Sequence, residues 1–204
     1  MKALSSIFAV AILFAAGAAP VLAAGNAVAG KDKSALCQGC HGETGNSASA
    51  DFPKLAGQPH TYIFKEVTDF QKELRLNETM QPMAATVTSL EDLHDIAAYF
   101  SSQKMVKNDG PFDSKKVKAG EELFLNGNAA TGVYGCVNCH GENGKGNQVF
   151  PRIGQQWKDY LVRQLKALKK GERANDRGGM MRDIAQKLSD QDIDNVTEFL
   201  ASIK

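Results

Sequence analysis

The clearest pattern along the chain is the spacing of apolar residues in two stretches, 93–100 and 193–200. In both, apolar residues recur three and four positions apart, as on the buried face of an amphipathic helix. Ser89 and Ser189 precede these stretches, each with acidic residues in the next turn, and this combination predicts a helix start. The predicted inward faces are Leu93, Ile96, Ala97 and Phe100 in the first half, and Ile193, Val196, Phe199 and Leu200 in the second.

Shorter helices are predicted around 27–36 and 119–125, and two further apolar-periodic segments contain Tyr62 and Tyr160. Proline, glycine and other turn residues separate these segments. The sequence lacks the period-two alternation of apolar and polar residues that would predict strands. The pattern therefore predicts an all-α fold.

The first residues have the layout of a secretory signal peptide. Lys2 gives a short positive region, an apolar run covers 7–16, and small residues continue to Ala23. We expect residues 1–23 to be this peptide, with cleavage after Ala23. An uncleaved membrane anchor is the alternative, but the run is shorter than the roughly 20 apolar residues of a spanning helix.

Composition and charge narrow the classes of function. The chain has 204 residues, of which 43% are hydrophobic and 23% charged, as in globular proteins of one or two domains. A net charge of +1 gives no reason to expect nucleic-acid binding. The charge is uneven, however. Residues 24–102 carry 6 Lys and Arg against 10 Asp and Glu, a balance of −4, and residues 103–204 carry 17 against 13, a balance of +4.

All four cysteines lie in two Cys-x-x-Cys-His motifs. The first reads C-Q-G-C-H and contains Cys37, Cys40 and His41, and the second reads C-V-N-C-H. The cysteines of the second motif are Cys136 and Cys139, and its histidine is His140. Disulfides, a redox dithiol or a zinc site could each use cysteine pairs, but none of them explains a histidine directly after the second cysteine, twice. Covalent haem attachment does, since the two thiols bond to the haem vinyl groups and the histidine reaches the iron.

The two motifs belong to a repeat that covers the whole chain. A glycine-rich loop follows each motif, then F-P-K-L-A-G-Q at 52–58 or F-P-R-I-G-Q-Q at 150–156, then a tyrosine. The Phe, Pro, branched aliphatic, Gln and Tyr of these segments recur at one constant offset. Between the halves lies a stretch with Asn-Asp-Gly-Pro and five lysines, which is typical of a linker. We therefore expect a first domain over 24–102, a linker over 103–118 and a second domain over 119–204.

A methionine at the iron would complete each site. Methionine sulfur is a usual second ligand in cytochromes c, and it leaves electron transfer as the main chemistry of the iron. Four of the six methionines lie in two equivalent loops, at Met80, Met83, Met180 and Met181. The other two histidines, His60 and His94, are alternative ligands, although surface positions account for them more simply.

These residues resemble the diheme cytochrome c4 family, over nearly the whole chain after the predicted signal peptide. The resemblance rests on the paired motifs, on the FPKLAGQ and FPRIGQQ segments, and on the endings LHDIAAYFSSQK and KLSDQDI. It implies two tandem class I cytochrome c domains, each wrapped around one covalent haem c.

The resemblance also implies a histidine–methionine ligand pair at each iron. The family spacing indicates His41 with Met80, and His140 with Met181. The internal repeat alone would pair Met80 with Met180, so Met180 and Met83 stay as alternatives; the family spacing is favoured because the first half has one extra residue within 84–88. In class I domains a proline carbonyl accepts a hydrogen bond from the proximal histidine, and Pro53 and Pro151 match that position.

The function that these features imply is that of an electron carrier in the periplasm. Its expected partners are redox proteins: a quinol-oxidising complex or a periplasmic dehydrogenase as donor, and a terminal oxidase as acceptor. Peripheral attachment to the membrane would be compatible with that role. There are two alternatives: an enzyme with one reactive haem, and the haem subunit of a larger dehydrogenase.

Overall fold

The structure, a computed structural model, describes residues 25–204, so the predicted signal peptide over 1–23 lies outside the described residues. Within them the chain is helical, and a single isolated β-bridge joins Asn128 and Val133. The all-α prediction is confirmed. The helices are α1 (Ala27–Lys33), α2 (Ala35–His41), α3 (His60–Gln71), α4 (Met80–Ala85), α5 (Leu90–Ser102), α6 (Ser114–Asn126), α7 (Val137–His140), α8 (Lys158–Lys170), α9 (Met180–Lys187) and α10 (Asp190–Ser202).

Each half is built on one crossing of two helices, α1 against α5 and α6 against α10. A glycine stands at each crossing. A Cβ atom at Gly30 would overlap the backbone carbonyl of Asp95, and one at Gly120 would overlap that of Asn195. The missing side chain therefore lets the two backbones approach closely, and the same device serves both halves.

Two separate hydrophobic cores lie beside these crossings. The first is formed by residues of α3 and α5. The second is larger and is formed by residues of α6, α8 and α10, together with Val133 and Leu188 from the loops between helices. The buried members are Ile63, Ile96, Ala97, Tyr99 and Phe100 in the first core, and Leu123, Phe124, Val133, Leu161, Leu188, Ile193, Val196, Phe199 and Leu200 in the second.

The predicted starts of α5 and α10 are confirmed. The Ser89 hydroxyl accepts a hydrogen bond from the amide of Asp92 at 3.3 Å, and the Ser189 hydroxyl accepts one from that of Asp192 at 3.0 Å. Asp192 also accepts a hydrogen bond from the Ser189 amide, which completes a capping box. All the side chains predicted to face inward from α5 and α10 are buried.

The segment between the halves is held against both of them. Asn108 donates three hydrogen bonds, at 3.0 to 3.2 Å, to the carbonyls of Gln155, Gln156 and Ala201, and Met105 is buried. Helix α6 begins at Ser114, inside the stretch predicted as a linker, because the Asp113 side chain caps the amides of the next turn. Within 25–204, no helix has the length and apolar character to cross a membrane.

Candidate haem-binding sites and the interface between them

The histidine of each Cys-x-x-Cys-His motif is buried and fixed by one hydrogen bond. Nδ1 of His41 donates to the carbonyl of Pro53 at 2.8 Å, and Nδ1 of His140 donates to that of Pro151 at 2.9 Å. The carbonyl can only accept, so Nδ1 carries the proton, and Nε2 is left with its lone pair for a metal. Burial lowers the pKa of both histidines, which keeps them neutral as iron ligands must be. The two hydrogen bonds expected from the resemblance are therefore present.

The cysteines precede these histidines along one short helix in each half. Cys37 and Cys40 lie in α2 and Cys139 lies in α7, while Cys136 is the residue before α7. None of the four is paired in a disulfide. Burial raises the pKa of Cys37, and it raises that of Cys136 to about 11, so both remain uncharged thiols at neutral pH. The uncharged, partly buried thiols of Cys37 and Cys136 beside a fixed histidine fit a bonded haem better than a reactive dithiol, which needs a lowered pKa.

The first methionine helix, α4, and the second, α9, have the same internal pattern. Four residues after Met80 comes the buried Ala84, and four residues after Met181 comes the buried Ala185. Both alanine carbonyls accept a hydrogen bond from the amide three residues later, at 3.1 and 3.2 Å. In this register Met80 is equivalent to Met181, and Thr88 is the extra residue of the first half.

The other two methionines of these loops have different surroundings. Met180 is 43% exposed, whereas Met181 is partly buried. In the same register Met83 corresponds to Ile184, which packs against the second hydrophobic core. The residue equivalent to Met83 in the second half is therefore an aliphatic side chain that packs against the core.

His60 and His94 lie against each other rather than on the open surface. Their rings are stacked with centroids 5.2 Å apart, and Nε2 of His60 lies 3.3 Å from Nδ1 of His94. The ring of Phe64 also stacks on His94, with centroids 4.4 Å apart. In the second half the matching positions hold Lys158 and Asp194, which form an ion pair at 2.7 Å. Both pairs join the helix after the proline loop to the last helix of their domain.

The two halves meet across a pseudo-symmetric polar interface. Arg75 donates to the Tyr160 hydroxyl at 3.2 Å, and the equivalent Arg173 donates to the Tyr62 hydroxyl at 2.9 Å. Glu66 lies between the two guanidinium groups, 2.6 Å from Arg75 and 3.3 Å from Arg173. Burial alone would raise the pKa of Glu66, but the charges of the two arginines lower it to about 2.

A second set of hydrogen bonds joins the loops that carry the prolines. The side chain of Gln156 bonds the backbone of Lys54, and that of Gln58 bonds the backbone of Arg152. Among the described residues, the buried Nε of Arg152 has no hydrogen-bond partner. Such a buried cationic donor beside the proximal loop suits the negatively charged propionates of a haem.

The sequence did not indicate any of these interface residues as functional. Gln58 with Gln156, and Tyr62 with Tyr160, were visible in the repeat, but a repeat does not show which faces of the two domains meet. Arg75, in an irregular stretch, had no signal beyond its charge.

Comparisons with known proteins agree with this architecture. The family model described as "Cytochrome c" matches residues 117–204, and that described as "Cytochrome C oxidase, cbb3-type, subunit III" matches residues 22–100. Cytochrome c4 of Thiocapsa roseopersicina is 43% identical over 183 residues, which cover 88% of this chain and 93% of the relative. The crystal structure of reduced recombinant cytochrome c4 from Pseudomonas stutzeri superposes with a TM-score of 0.83 at 38% identity, and covers 88% of this chain and 100% of that one.

The name of a further relative states which enzyme gives it electrons. The "Thiosulfate dehydrogenase electron acceptor" of Stutzerimonas stutzeri strain A1501 is 34% identical over 170 residues, which cover 82% of this chain and 78% of the relative. Identity above 30% over almost the full length of cytochrome c4 settles the relationship. The chain belongs to the cytochrome c4 family of diheme electron-transfer proteins, with two cytochrome c domains and two haem c groups.

Proposed function

We propose that the chain is a periplasmic electron carrier, and that each haem has a histidine and a methionine as iron ligands. His41 with Met80 would hold the first iron, and His140 with Met181 the second. Cys37 and Cys40 would bond the first haem covalently, and Cys136 and Cys139 the second. The limits 24–102 and 119–204 are the proposed domains, joined by 103–118.

The observation that carries this proposal is the matching arrangement of residues at the two sites. Each has a buried histidine whose Nδ1 is fixed by a proline carbonyl, and each has a methionine four residues before a buried alanine. Sulfur ligation raises the reduction potential and fills the last iron position, so neither site favours substrate chemistry. Both features support electron transfer through two centres of the same kind.

A spectroscopic experiment on the purified, fully loaded protein tests the ligand sets. The ferric protein should show the weak methionine–iron charge-transfer band at two-haem intensity. The ferrous protein should bind carbon monoxide slowly or not at all. Rapid ligand binding at one haem would instead favour the enzyme reading, in which one iron is open.

The donors and acceptors are a finer proposal. We infer that a quinol-oxidising complex or a periplasmic dehydrogenase reduces the protein and that a terminal oxidase reoxidises it. The relative named as a thiosulfate dehydrogenase electron acceptor supports a dehydrogenase donor. Stopped-flow reduction by thiosulfate dehydrogenase with thiosulfate, and by a quinol-oxidising complex with quinol, would compare the two donors directly.

Because the two domains differ in charge, the association rates with redox partners should also depend on salt concentration. An acidic first domain and a basic second domain would steer partners of opposite charge to opposite ends of the molecule. Association rates with a charged partner should then fall as ionic strength rises, because salt screens exposed charges beyond roughly 8–10 Å. Rates that stay constant from low to high salt would exclude steering.

A further inference from the structure

Two buried glutamines each clamp a backbone segment of the opposite domain. Gln156 accepts a hydrogen bond from the amide of Lys54 at 2.8 Å and donates one to the Lys54 carbonyl at 2.9 Å. Gln58 makes the same pair of bonds with Arg152, at 2.6 Å to the amide and 3.0 Å to the carbonyl. Their exposed fractions are 5% for Gln58 and 3% for Gln156, so water does not compete for these bonds.

The clamped amides belong to the peptide groups that hold the proximal histidines. The Lys54 amide and the Pro53 carbonyl are two ends of one peptide group, and His41 donates to that carbonyl at 2.8 Å. The Arg152 amide and the Pro151 carbonyl form the equivalent group, to which His140 donates at 2.9 Å. A chain of two hydrogen bonds therefore links each proximal histidine to a glutamine of the other domain.

Hydrogen bonds in such a chain strengthen one another. When the amide of a peptide group donates, its carbonyl becomes a better acceptor, by roughly 10–30% per bond in condensed phase. A stronger acceptor draws the Nδ1 proton of the histidine outward and makes Nε2 a more basic ligand. A more basic ligand stabilises ferric iron over ferrous iron, and the reduction potential falls.

We propose that Gln156 and Gln58 are positioning residues that tune the haem of the opposite domain. Gln156 lowers the reduction potential of the first haem through Lys54, Pro53 and His41. Gln58 lowers that of the second haem through Arg152, Pro151 and His140. Docking of the two domains thus sets both potentials, and neither domain alone has the potential that it has in the whole molecule. This inference rests on the proposed ligation of iron by His41 and His140.

The test replaces each glutamine by methionine, which has a similar shape but offers only a weakly accepting thioether in place of the amide oxygen. The two potentials are measured by redox titration of the full-length, two-haem protein, and NMR assigns each potential to its domain. In Gln156→Met the potential of the first haem should rise while that of the second stays constant. In Gln58→Met the second should rise and the first stay constant.

A second readout follows the hydrogen bond itself. The Nδ1 proton of the proximal histidine should move upfield in the ferrous NMR spectrum, for His41 in Gln156→Met and for His140 in Gln58→Met. A glutamine that only held the domains together would leave this proton unchanged. Where a methionine variant does not fold, Gln156→Asn or Gln58→Asn keeps an amide one methylene short of the peptide group and should give the same crossed shift.

Thr61→Val is the matched control. The Thr61 hydroxyl donates to the Gln148 carbonyl at 2.6 Å, which is also a contact between domains but does not involve a proximal peptide group. This variant should leave both potentials unchanged. The proposal is overturned if the glutamine variants shift neither potential, shift both equally, or shift the haem of their own domain. A wild-type protein without two histidine–methionine centres would contradict the proposed function instead.

Discussion

At the scale of single residues, the second methionine loop contains two candidate iron ligands, Met180 and Met181. Met181 is partly buried and lies in the register of Met80, whereas Met180 is 43% exposed. In Met181→Ala we expect the second iron to lose its sulfur ligand. Its potential should fall by an appreciable part of the roughly 0.8 V that axial ligands span, and the methionine charge-transfer band should lose half its intensity. Titration and the ferric absorption spectrum check this.

Met180→Ala is the control for that change, since it removes the neighbouring methionine from a more exposed position. It should leave both the band and the potentials as in the wild type. If Met180→Ala halved the band and Met181→Ala left it intact, the ligand assignment of the second haem would be reversed.

The stacked histidines make the first domain sensitive to acid. Burial and the charge of His94 lower the pKa of His60, so its contribution to stability is present above the ordinary histidine pKa of 6.5 and is lost as pH falls below it. The double substitution His60→Lys with His94→Asp copies the Lys158–Asp194 ion pair of the second domain. Since His60 is only partly buried, solvent screens the interaction and the effect should be below about 1 kcal/mol.

Thermal unfolding from pH 8 to pH 5.5 measures this difference. In the wild type, the unfolding temperature of the first domain should fall over that range. In the double variant it should fall less. Equal shifts in the two proteins would show that the histidine pair does not control the acid response.

At the scale of helices, the crossing of α1 and α5 depends on a missing side chain. Because a Cβ at Gly30 would overlap the Asp95 carbonyl, Gly30→Ala should force the helices apart and lower the free energy of unfolding by about 1–3 kcal/mol. Gly39→Ala is the matched control, since, beyond its chain neighbours and the backbone of its own helix, no other atom of the described chain lies within 4 Å of a Cβ at that helical position. It should be neutral or stabilising by up to about 1 kcal/mol. Urea unfolding of the haem-loaded proteins gives both values.

A loss of stability in Gly39→Ala equal to that in Gly30→Ala would contradict this account, because helix propensity favours alanine in both. Gly120→Ala in the second domain should repeat the result of Gly30→Ala, since it meets the Asn195 carbonyl in the same way.

Local signals explain why the helices could be predicted from the sequence. Ser89 and Ser189 cap α5 and α10, and the spacing of apolar residues marked their buried faces. The stretch 27–36 was predicted as one helix but divides at Ser34 into α1 and α2. Ser34 is fully buried at this break, and no proline or glycine lies within 31–36, so no local breaker in the sequence marks the division.

At the scale of the whole molecule, the sequence predicted two similar domains but not how they dock. The contacts between them join residues about 85 to 113 positions apart, such as Arg75 with Tyr160 and Arg163 with the carbonyl of Ala50. No periodicity within either half encodes such pairings. The sequence also left the choice between Met180 and Met181 open. That choice depends on where the first half has its extra residue, Thr88, and the hydrogen-bond register of α4 and α9 gives this position.

The buried carboxylate at the interface should make domain docking depend on pH. The pKa of Glu66 falls from its ordinary 4.5 to about 2 between Arg75 and Arg173, so its stabilising contribution is complete above pH 4.5 and is lost as pH falls toward 2. A shift of that size corresponds to about 3 kcal/mol. Glu66→Gln leaves two buried guanidinium groups without their shared carboxylate, and should cost about 3–5 kcal/mol at pH 7.

Urea unfolding at pH 7 and at pH 3, together with small-angle scattering to follow separation of the domains, tests this prediction. The wild type should lose stability and expand between the two pH values by more than Glu66→Gln does, because the variant no longer has the group that titrates. Glu122→Gln, which changes an exposed carboxylate of α6, should behave like the wild type. An acid response of Glu66→Gln as large as that of the wild type would assign the pH dependence to other carboxylates and leave Glu66 a packing role at the interface.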